Sequence, residues 1–588
     1  MLLLGILGAV LPAFPALAAT PKVDVQVDGL SRELKRNVLA SLEIQESRKD
    51  KDLDEARIRR LHAQAPAEIE QALQPYGHYK PVIHSTLDQK GETWVARYEV
   101  DAGPILKVTH RDLQIQGEGA SDLGFQAAVD RFPLREGDPL FQPAYEGGKK
   151  AFDDYAAANG YLDGRFEVNE IRVDLATYTS EVALHYQTGP RYHFGPVVFH
   201  QDFLDPKLLR GYVTVKEGDP LDADELLKLQ NALSSSPYFQ RVEVVPRREG
   251  VTGVNLPIDV TLTPAKRHRY TAGVGYGTDT GPRVSGGIEF RRLNRRGHRG
   301  DVEARLSEIE KSGKADYIVP GIYPSTDLTT YTVAYADLHP QTSTSKSFLL
   351  GGSRARALGR WRQSIGLNFE RTTFTVGTDS GVSRLFGPTV SWQRVFADDR
   401  IYPTHGERIE FDLRGADKSV LSNATFVQGI ARAKFIQSFG GIGGGGGGAN
   451  FGGKRFRLIT RADFAYTETD DFHLLPPTVR LFAGGDQSVR GYSYQGIGPR
   501  DALGHVIGGK ALEVASVELE YRFLQKWGVA TFYDTGTAND KFGGQLKVGT
   551  GVGVRWLSPI GMIRLDFAEA IREPHHPIRI HLTIGPDL

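Results

Sequence analysis

The sequence predicts α+β repeats followed by an all-β transmembrane barrel of 16 antiparallel strands. Three observations carry that prediction. A pentapeptide recurs at a domain-sized offset, helical periodicity stops near Arg267, and strand-length alternating runs separated by Gly, Pro, Asp and Asn occupy the remainder.

The repeats come first. Glu136-Gly137-Asp138-Pro139-Leu140 returns as Glu217-Gly218-Asp219-Pro220-Leu221, an offset of 81 residues. Gly103-Pro104 and Gly189-Pro190 close two units in the same sense, each after an alternating strand. Tyr76-Gly77-His78-Tyr79, Asn159-Gly160-Tyr161-Leu162 and Ser236-Pro237-Tyr238-Phe239 each end a helical stretch. Three such marks in one order define units at 19–104, 105–190 and 191–264. Each unit reads strand, helix, helix, strand, strand. In the first, 23–30 is a strand and Ser31 caps a helix beginning Arg32-Glu33-Leu34. A second helix runs over about 53–73, and 82–87 with 94–100 form a closing hairpin. Two helices cover one face of such a sheet and leave an edge strand able to accept another chain by β-augmentation. The bland alternative is a spacer.

The barrel fills 265–588. Ten alternating runs lie between His268 and Gln437, and six more follow from Arg455. Ile578, Ile580, Leu582 and Ile584 point one way while Arg579, His581 and Thr583 point the other. Ile563, Leu565 and Phe567 alternate with Arg564 and Asp566. An apolar outer face around a charged inner one is what a lipid-facing barrel with a wet lumen requires. A soluble sandwich would bury the apolar face. An even strand number returns both barrel ends to the side of the repeats.

Composition narrows the function. Across 588 residues Lys+Arg and Asp+Glu both number 71, so no broad basic surface argues for nucleic acid. No cysteine is present, which excludes disulfides, thiolate metal sites and a Cys nucleophile, and suits an oxidising compartment. Residues 2–17 are almost wholly apolar or small, and Ala16-Leu17-Ala18 before Ala19 fits a cleavage site, so 1–18 reads as an export signal. Its brevity, with Pro12 and Pro15, sets it apart from a membrane anchor. No later stretch approaches the ~18 apolar residues of a transmembrane helix. Two glycine-rich segments are decoys. The run from Gly443 to Gly448 lacks the Ser or Thr that a phosphate loop needs after Gly453-Lys454, and Gly273-Val274-Gly275-Tyr276-Gly277 reads as a strand. His575-His576 lacks partners at metal-ligand spacing and no nucleophile elbow occurs, so neither an enzyme nor a metal or cofactor is expected.

The candidate functional element is a turn-rich loop over 470–510, expected to fold into the lumen. It carries Gly484-Gly485-Asp486-Gln487-Ser488-Val489-Arg490-Gly491-Tyr492, with Arg490, Gly491 and Tyr492 as the latch. Val517-Glu518-Leu519-Glu520-Tyr521-Arg522-Phe523 turns Glu518, Glu520 and Arg522 inward, and Phe532 and Asp534 share a face of Phe532-Tyr533-Asp534-Thr535-Gly536. The Arg490 guanidinium would bond a carboxylate bidentately, Asp534 first and Glu518 or Glu520 second, and stack on Phe532. In a partly hydrated lumen this anchor is worth roughly 1–3 kcal/mol. The competing reading is an external, solvated Arg. Arg210-Gly211-Tyr212 repeats the tripeptide in the third unit and reads as an ordinary solvated turn.

Val489-Arg490-Gly491-Tyr492, the Phe532 to Gly536 segment, Gly551-Val552-Gly553-Val554-Arg555 and Arg564-Leu565-Asp566-Phe567 resemble, in order, the C-terminal motifs of the BamA-like outer-membrane assembly superfamily. The N-terminal units resemble its POTRA domains. Three units, the context of Arg490 and the ending Ile584-Gly585-Pro586-Asp587-Leu588 most resemble its TamA branch, the translocation and assembly module. The resemblance implies the bacterial outer membrane, repeats in the periplasm, and neither hydrolysis nor a cofactor. It implies insertion or secretion of β-barrel and autotransporter proteins. The implied partners are a TamB-like inner-membrane-anchored periplasmic protein, nascent outer-membrane proteins and outer-membrane lipid. Phospholipid transport with the same partner, and a passive pore or two-partner-type secretion transporter, are the alternatives.

The residues add a physical reason. Pro577 and Pro586 bracket the last strand, leaving eight residues where a span needs ~9–11. Proline cannot donate to a ladder, and Gly585 weakens it further. The closing seam has Ile578, Ile580, Leu582 and Gly585 on the last strand and Tyr270 and Val274 on the first. It is expected to be short and able to open.

Overall fold

A computed structural model describes residues 21–50, 52–399, 402–440, 454–558 and 561–585. The expected export signal at 1–18, the glycine run and the proline at 586 lie outside the described residues. Among the described residues no helix is long and apolar enough to cross a membrane.

Local capping starts the helices. Ser31 Oγ accepts from the Leu34 N–H at the head of α1 (Arg32–Ser41), and Asp54 accepts from the Arg57 N–H, 2.7 Å away, at the head of α3 (Glu55–Leu73). A short α2 (Glu43–Ser47) intervenes. The sequence pattern does not foretell it, because five residues are too few to show a helical period. The helices cover a sheet of β1 (Lys22–Asp28), β2 (Val82–Lys90) and β3 (Thr93–Asp101) in the order β1-β3-β2, with β1 parallel to β3. Ile58, Leu61 and Ile69 share its core with Val27, Trp94 and Tyr98.

The second unit repeats the plan with β4 (Lys107–Gln116), α4 (Leu123–Asp130), α5 (Gln142–Ala158), β5 (Arg165–Asp174) and β6 (Thr179–Gln187), ordered β4-β6-β5. The third has β7 (His193–His200), α6 (Pro206–Arg210), α7 (Ala223–Ser234), β8 (Phe239–Pro246) and β9 (Asn255–Pro264), ordered β7-β9-β8. The duplicated pentapeptide makes the same bonds twice. Gly137 N–H donates to Val108 O and Gly218 N–H to Phe194 O, both at 2.8 Å. Leu140 N–H donates to Leu106 O at 2.8 Å and Leu221 N–H to Tyr192 O at 2.9 Å. Both glycines take the left-handed φ, +91° and +92°, that a side chain would oppose.

Sixteen antiparallel strands close into a barrel. They are β10 (His268–Gly277), β11 (Gly281–Phe290), β12 (Arg299–Ser307), β13 (Glu310–Pro320), β14 (Leu328–Leu338), β15 (Ser343–Leu358), β16 (Trp361–Val376) and β17 (Asp379–Ala397). There follow β18 (His405–Ala416), β19 (Phe426–Gly440), β20 (Lys454–Glu468), β21 (Ala511–Arg522), β22 (Trp527–Asn539), β23 (Lys547–Ser558), β24 (Gly561–Ala570) and β25 (Ile578–Gly585). Outward positions expose Val333, Leu350, Val517, Tyr533 and Ile580, as a lipid-facing wall must.

By contact the chain divides into two compact units. One is Met1–Pro196 with Val215–Leu227 and Pro246–Ile258; the other is Val197–Thr214 with Lys228–Val245 and Asp259–Leu588. Part of the third repeat therefore belongs to the barrel's unit, and its contacts show why. Asp205 N–H donates to Arg295 O at 2.8 Å, Tyr238 OH donates to Gly297 O, and the Arg292 guanidinium lies 4.6 Å from the centre of the Phe203 ring. Here one expectation fails. Arg210-Gly211-Tyr212 is not an ordinary solvated turn: Tyr212 is buried, and a Cβ on Gly211 would collide with the Ile322 carbonyl oxygen and Pro324. Only the Arg210 side chain is exposed. The tripeptide itself carries no sign of the barrel turn it packs against.

Candidate functional site

Strand alternation builds the wall of the site. Glu518 and Glu520 of β21, Phe532 and Asp534 of β22, Arg555 of β23 and Asp566 of β24 are all buried inside the barrel. Their neighbours Val517, Tyr533, Val554 and Phe567 are exposed on the outer face.

The loop between β20 and β21 enters this enclosure and is tied along its length. Arg490 grips Asp534 with Nε at 2.7 Å and Nη2 at 3.0 Å, a bidentate fork, and its backbone N–H donates to the same carboxylate at 3.1 Å. Nη1 donates to Glu518 at 2.7 Å and to Asp566 at 3.0 Å. The guanidinium carbon lies 3.5 Å from the centre of the Phe532 ring. Ser516 Oγ donates to Asp534 at 2.6 Å, completing that carboxylate's shell. Tyr492 is buried and donates its hydroxyl to Val548 O at 3.3 Å.

Glycine makes the close approach possible. Gly491 has φ +91°, and a side chain there would press on Glu569 and Ala570 of β24. On β23, a Cβ at Gly549 would collide with the Arg490 carbonyl oxygen.

One expectation needs correction. Glu520 is not a partner of Arg490. It lies one inward step further along β21, beside Arg457 in the β20 register, and accepts from Arg457 Nε at 2.7 Å and Arg555 Nε at 3.1 Å. The side chains of Arg490, Asp534, Glu518 and Asp566 are 8, 0, 9 and 6% exposed, and a polar cavity of about 90 Å³ lined by Arg490, Glu518, Asp566 and His581 leaves room for water beside them. Three participants went unassigned. Asp566 was already legible as an inward residue of β24, and Arg555 closes the other side of the network onto Glu518 and Asp566. Arg480, fully buried, ties the outer part of the loop to Asp379 of β17 at 2.9 Å and to Leu475 O at 2.9 Å. Nothing in its sequence context marks it.

The loop tip reaches both edges of the seam. Asp486 N–H donates to Asp279 at 2.6 Å and Thr278 Oγ1 donates to Asp486 at 2.9 Å, both in the turn after β10. On the other edge, His581 of β25 bonds Asp486 through Nδ1. Asp279, Asp486 and His581 offer ligand atoms within 4.8 Å of one another. Gly491 N–H donates to His581 Nε2 at 2.9 Å, so in the neutral ring the proton sits on Nδ1, facing Asp486. That is the pattern of a hydrogen-bonded clasp, since a metal on Nδ1 would put the ring proton against the Gly491 donor.

The seam itself is nearly unpaired. Among the described residues, Gly277 opposite Thr583 is its one residue pair, supplemented by Thr278 N–H to Leu582 O at 3.2 Å and Arg283 Nη2 to Ile584 O at 3.1 Å. Of the expected seam residues, Leu582 takes part. Tyr270 and Val274 pair with Ile288 and Val284 of β11, and are 72 and 80% exposed. Ile578, Ile580 and Gly585 pair with β24.

The profile of the Omp85 superfamily domain matches residues 293–587, half of the chain, and that of "POTRA domain TamA domain 1" matches residues 24–102. The outer membrane protein assembly factor BamA of Nitratidesulfovibrio vulgaris is 24% identical over 413 residues, 63% of this chain and 48% of that protein. The chain thus spans about half the length of that relative. The crystal structure of BamA from Haemophilus ducreyi lacking POTRA domains 1–3 superimposes with a TM-score of 0.67 and 17% identity, over 82% of this chain and 99% of that one. With small repeats, a closed sixteen-strand barrel and a loop packed into its lumen, the chain belongs to the Omp85 superfamily, as an outer-membrane protein whose N-terminal POTRA repeats lie in the periplasm.

Proposed function

We propose that the chain is the outer-membrane subunit of a TamA-type translocation and assembly module, which inserts or secretes β-strand proteins through its own barrel seam. The observation that carries this reading is the seam. Among the described residues one pair joins β10 to β25, where the other barrel ladders hold eight to sixteen. Among the described residues, 268–276 form no ladder pair on the β25 side and present a largely unpaired strand edge. Unpaired backbone groups cost several kcal/mol each in hydrocarbon, so this edge favours any strand that arrives to pair with it. The few bonds that close the seam contribute about 0.5–1.5 kcal/mol each, and are light enough to exchange.

In this proposal Arg490, Gly491 and Tyr492 latch the loop, and Asp486 straps both seam edges to it. The TamA-type profile on the first repeat supports the choice of branch. A TamB-like partner would add its strand to a repeat edge, where β2 of the first sheet is exposed along most of its length. The test is a Gly277→Cys, Thr583→Cys pair in this cysteine-free chain. Oxidation is expected to cut assembly of an autotransporter into the outer membrane at least tenfold, with recovery on reduction. Undiminished assembly through the locked barrel would falsify lateral opening. Undiminished assembly with altered outer-leaflet phospholipid would move the reading to lipid transport.

A further inference from the structure

Away from the seam, the outer wall changes character along β15. There the outward side chains run Phe348, Leu350, Gly352, Arg354 toward the periplasmic end, from apolar to cationic. A cation just beyond an apolar run suits the depth of lipid phosphates. At Gly352 the wall is indented beside its register partner Tyr331, within a groove of about 550 Å³ lined also by Tyr317, Val333, Leu350 and Leu367.

At the periplasmic end of this groove lies a cavity of about 940 Å³, between α6 and the barrel turns 291–298 and 321–327. Lys207, Arg210, Arg296 and Arg354 line it. Arg354 is engaged by Asp327 at 2.6 and 2.8 Å. Among the described residues, Lys207, Arg210 and Arg296 have no carboxylate within 4.0 Å. Asp205, also in the lining, is occupied in capping the Lys207 N–H at 2.9 Å. His298 joins cavity to groove, its Nδ1 lying 2.6 Å from the Tyr317 hydroxyl. Ile322 and Tyr323, 73 and 61% exposed, stand on the rim.

Uncompensated cations gathered at the mouth of an apolar groove, at this depth, complement an amphiphile with an anionic head. We propose that this is a binding site for an anionic phospholipid of the periplasmic leaflet. Lys207, Arg210 and Arg296 hold its phosphate, and the groove over Gly352 takes an acyl chain. The site does not rest on seam opening, and its failure would leave that reading untouched.

The test titrates the full chain in maltoside detergent with phosphatidylglycerol or with phosphatidylcholine of the same chains, counting bound lipid by native mass spectrometry. One phosphatidylglycerol is expected to stay bound at a concentration at least tenfold below that for phosphatidylcholine. The triple variant Lys207→Gln, Arg210→Gln, Arg296→Gln should erase that preference while the barrel keeps its heat-modifiable mobility. Gly352→Leu, which fills the groove without touching charge, should weaken retention of both lipids several-fold, and it carries the test if the triple variant does not fold. Equal retention of the two lipids by the parent chain, unchanged retention in both variants, or displacement of lipid by glycerol 3-phosphate alone would overturn the proposal.

Discussion

At the scale of single residues the latch is an electrostatic problem. Arg490 satisfies parts of three carboxylates whose side chains are all buried. A buried pair is a poor source of net stability, but deleting one partner strands the other. Arg490→Ala would leave Asp534 with the Ser516 hydroxyl, and Glu518 and Asp566 sharing Arg555, at a cost of about 3–5 kcal/mol. The expected outcome is rapid proteolysis within 484–492 and a barrel that loses heat-modifiable mobility at lower temperature. Arg490→Lys, which keeps the charge and loses the fork, should fall between. Unchanged protease protection in Arg490→Ala would rule out the latch.

At the scale of elements, caps and edges decide what holds and what yields. Asp122 opens α4 by accepting from Gly124 N–H at 2.8 Å, and it also receives the hydroxyls of Tyr155 at 2.6 Å and Tyr161 at 3.0 Å. Burial pushes its carboxyl up, but those hydrogen bonds and Arg191 outweigh burial and hold it below the usual carboxylate range. A depressed carboxyl contributes stability that is present above the unfolded value of ~3.9 and is lost as pH falls through the lower folded value. Asp122→Ala should cost the second repeat about 1–2 kcal/mol at neutral pH. It should also flatten the loss of stability below about pH 4. Urea midpoints read by hydrogen exchange in 123–158, at pH 7 and pH 3.5, check both. An equal acid loss in variant and parent would refute the role of the cap. The seam is the opposite case. The last strand after Pro577 has eight residues, and among the described residues one pair joins it to β10.

At the scale of the whole molecule, the third repeat is divided, and its 197–214 segment belongs by contact to the barrel's unit. Gly211 sits where backbone meets backbone at the 321–327 turn. Gly211→Val is expected to pry that contact open without unfolding either part. Hydrogen exchange at 204–212 should rise at least tenfold while barrel strands stay protected. Unchanged exchange would mean that the contact does not hold the segment.

Much of this was legible in the chain itself. Period-two alternation turned Asp534, Glu518 and Asp566 inward, Ser31 marked a helix start, and the duplicated Glu-Gly-Asp-Pro-Leu element marked repeated units, in which it makes the same bonds twice. Such features follow from local geometry, because a side chain's face and a cap's partner lie within a few residues. The chain did not disclose that Asp566 joins Asp534 and Glu518 on Arg490, that Glu520 belongs to Arg457, that Arg480 is a second anchor, or that Gly211 docks on a barrel turn. Those depend on register between strands and on how deeply a loop descends. Both are set by contacts between residues far apart in sequence, so only the closed barrel could decide them.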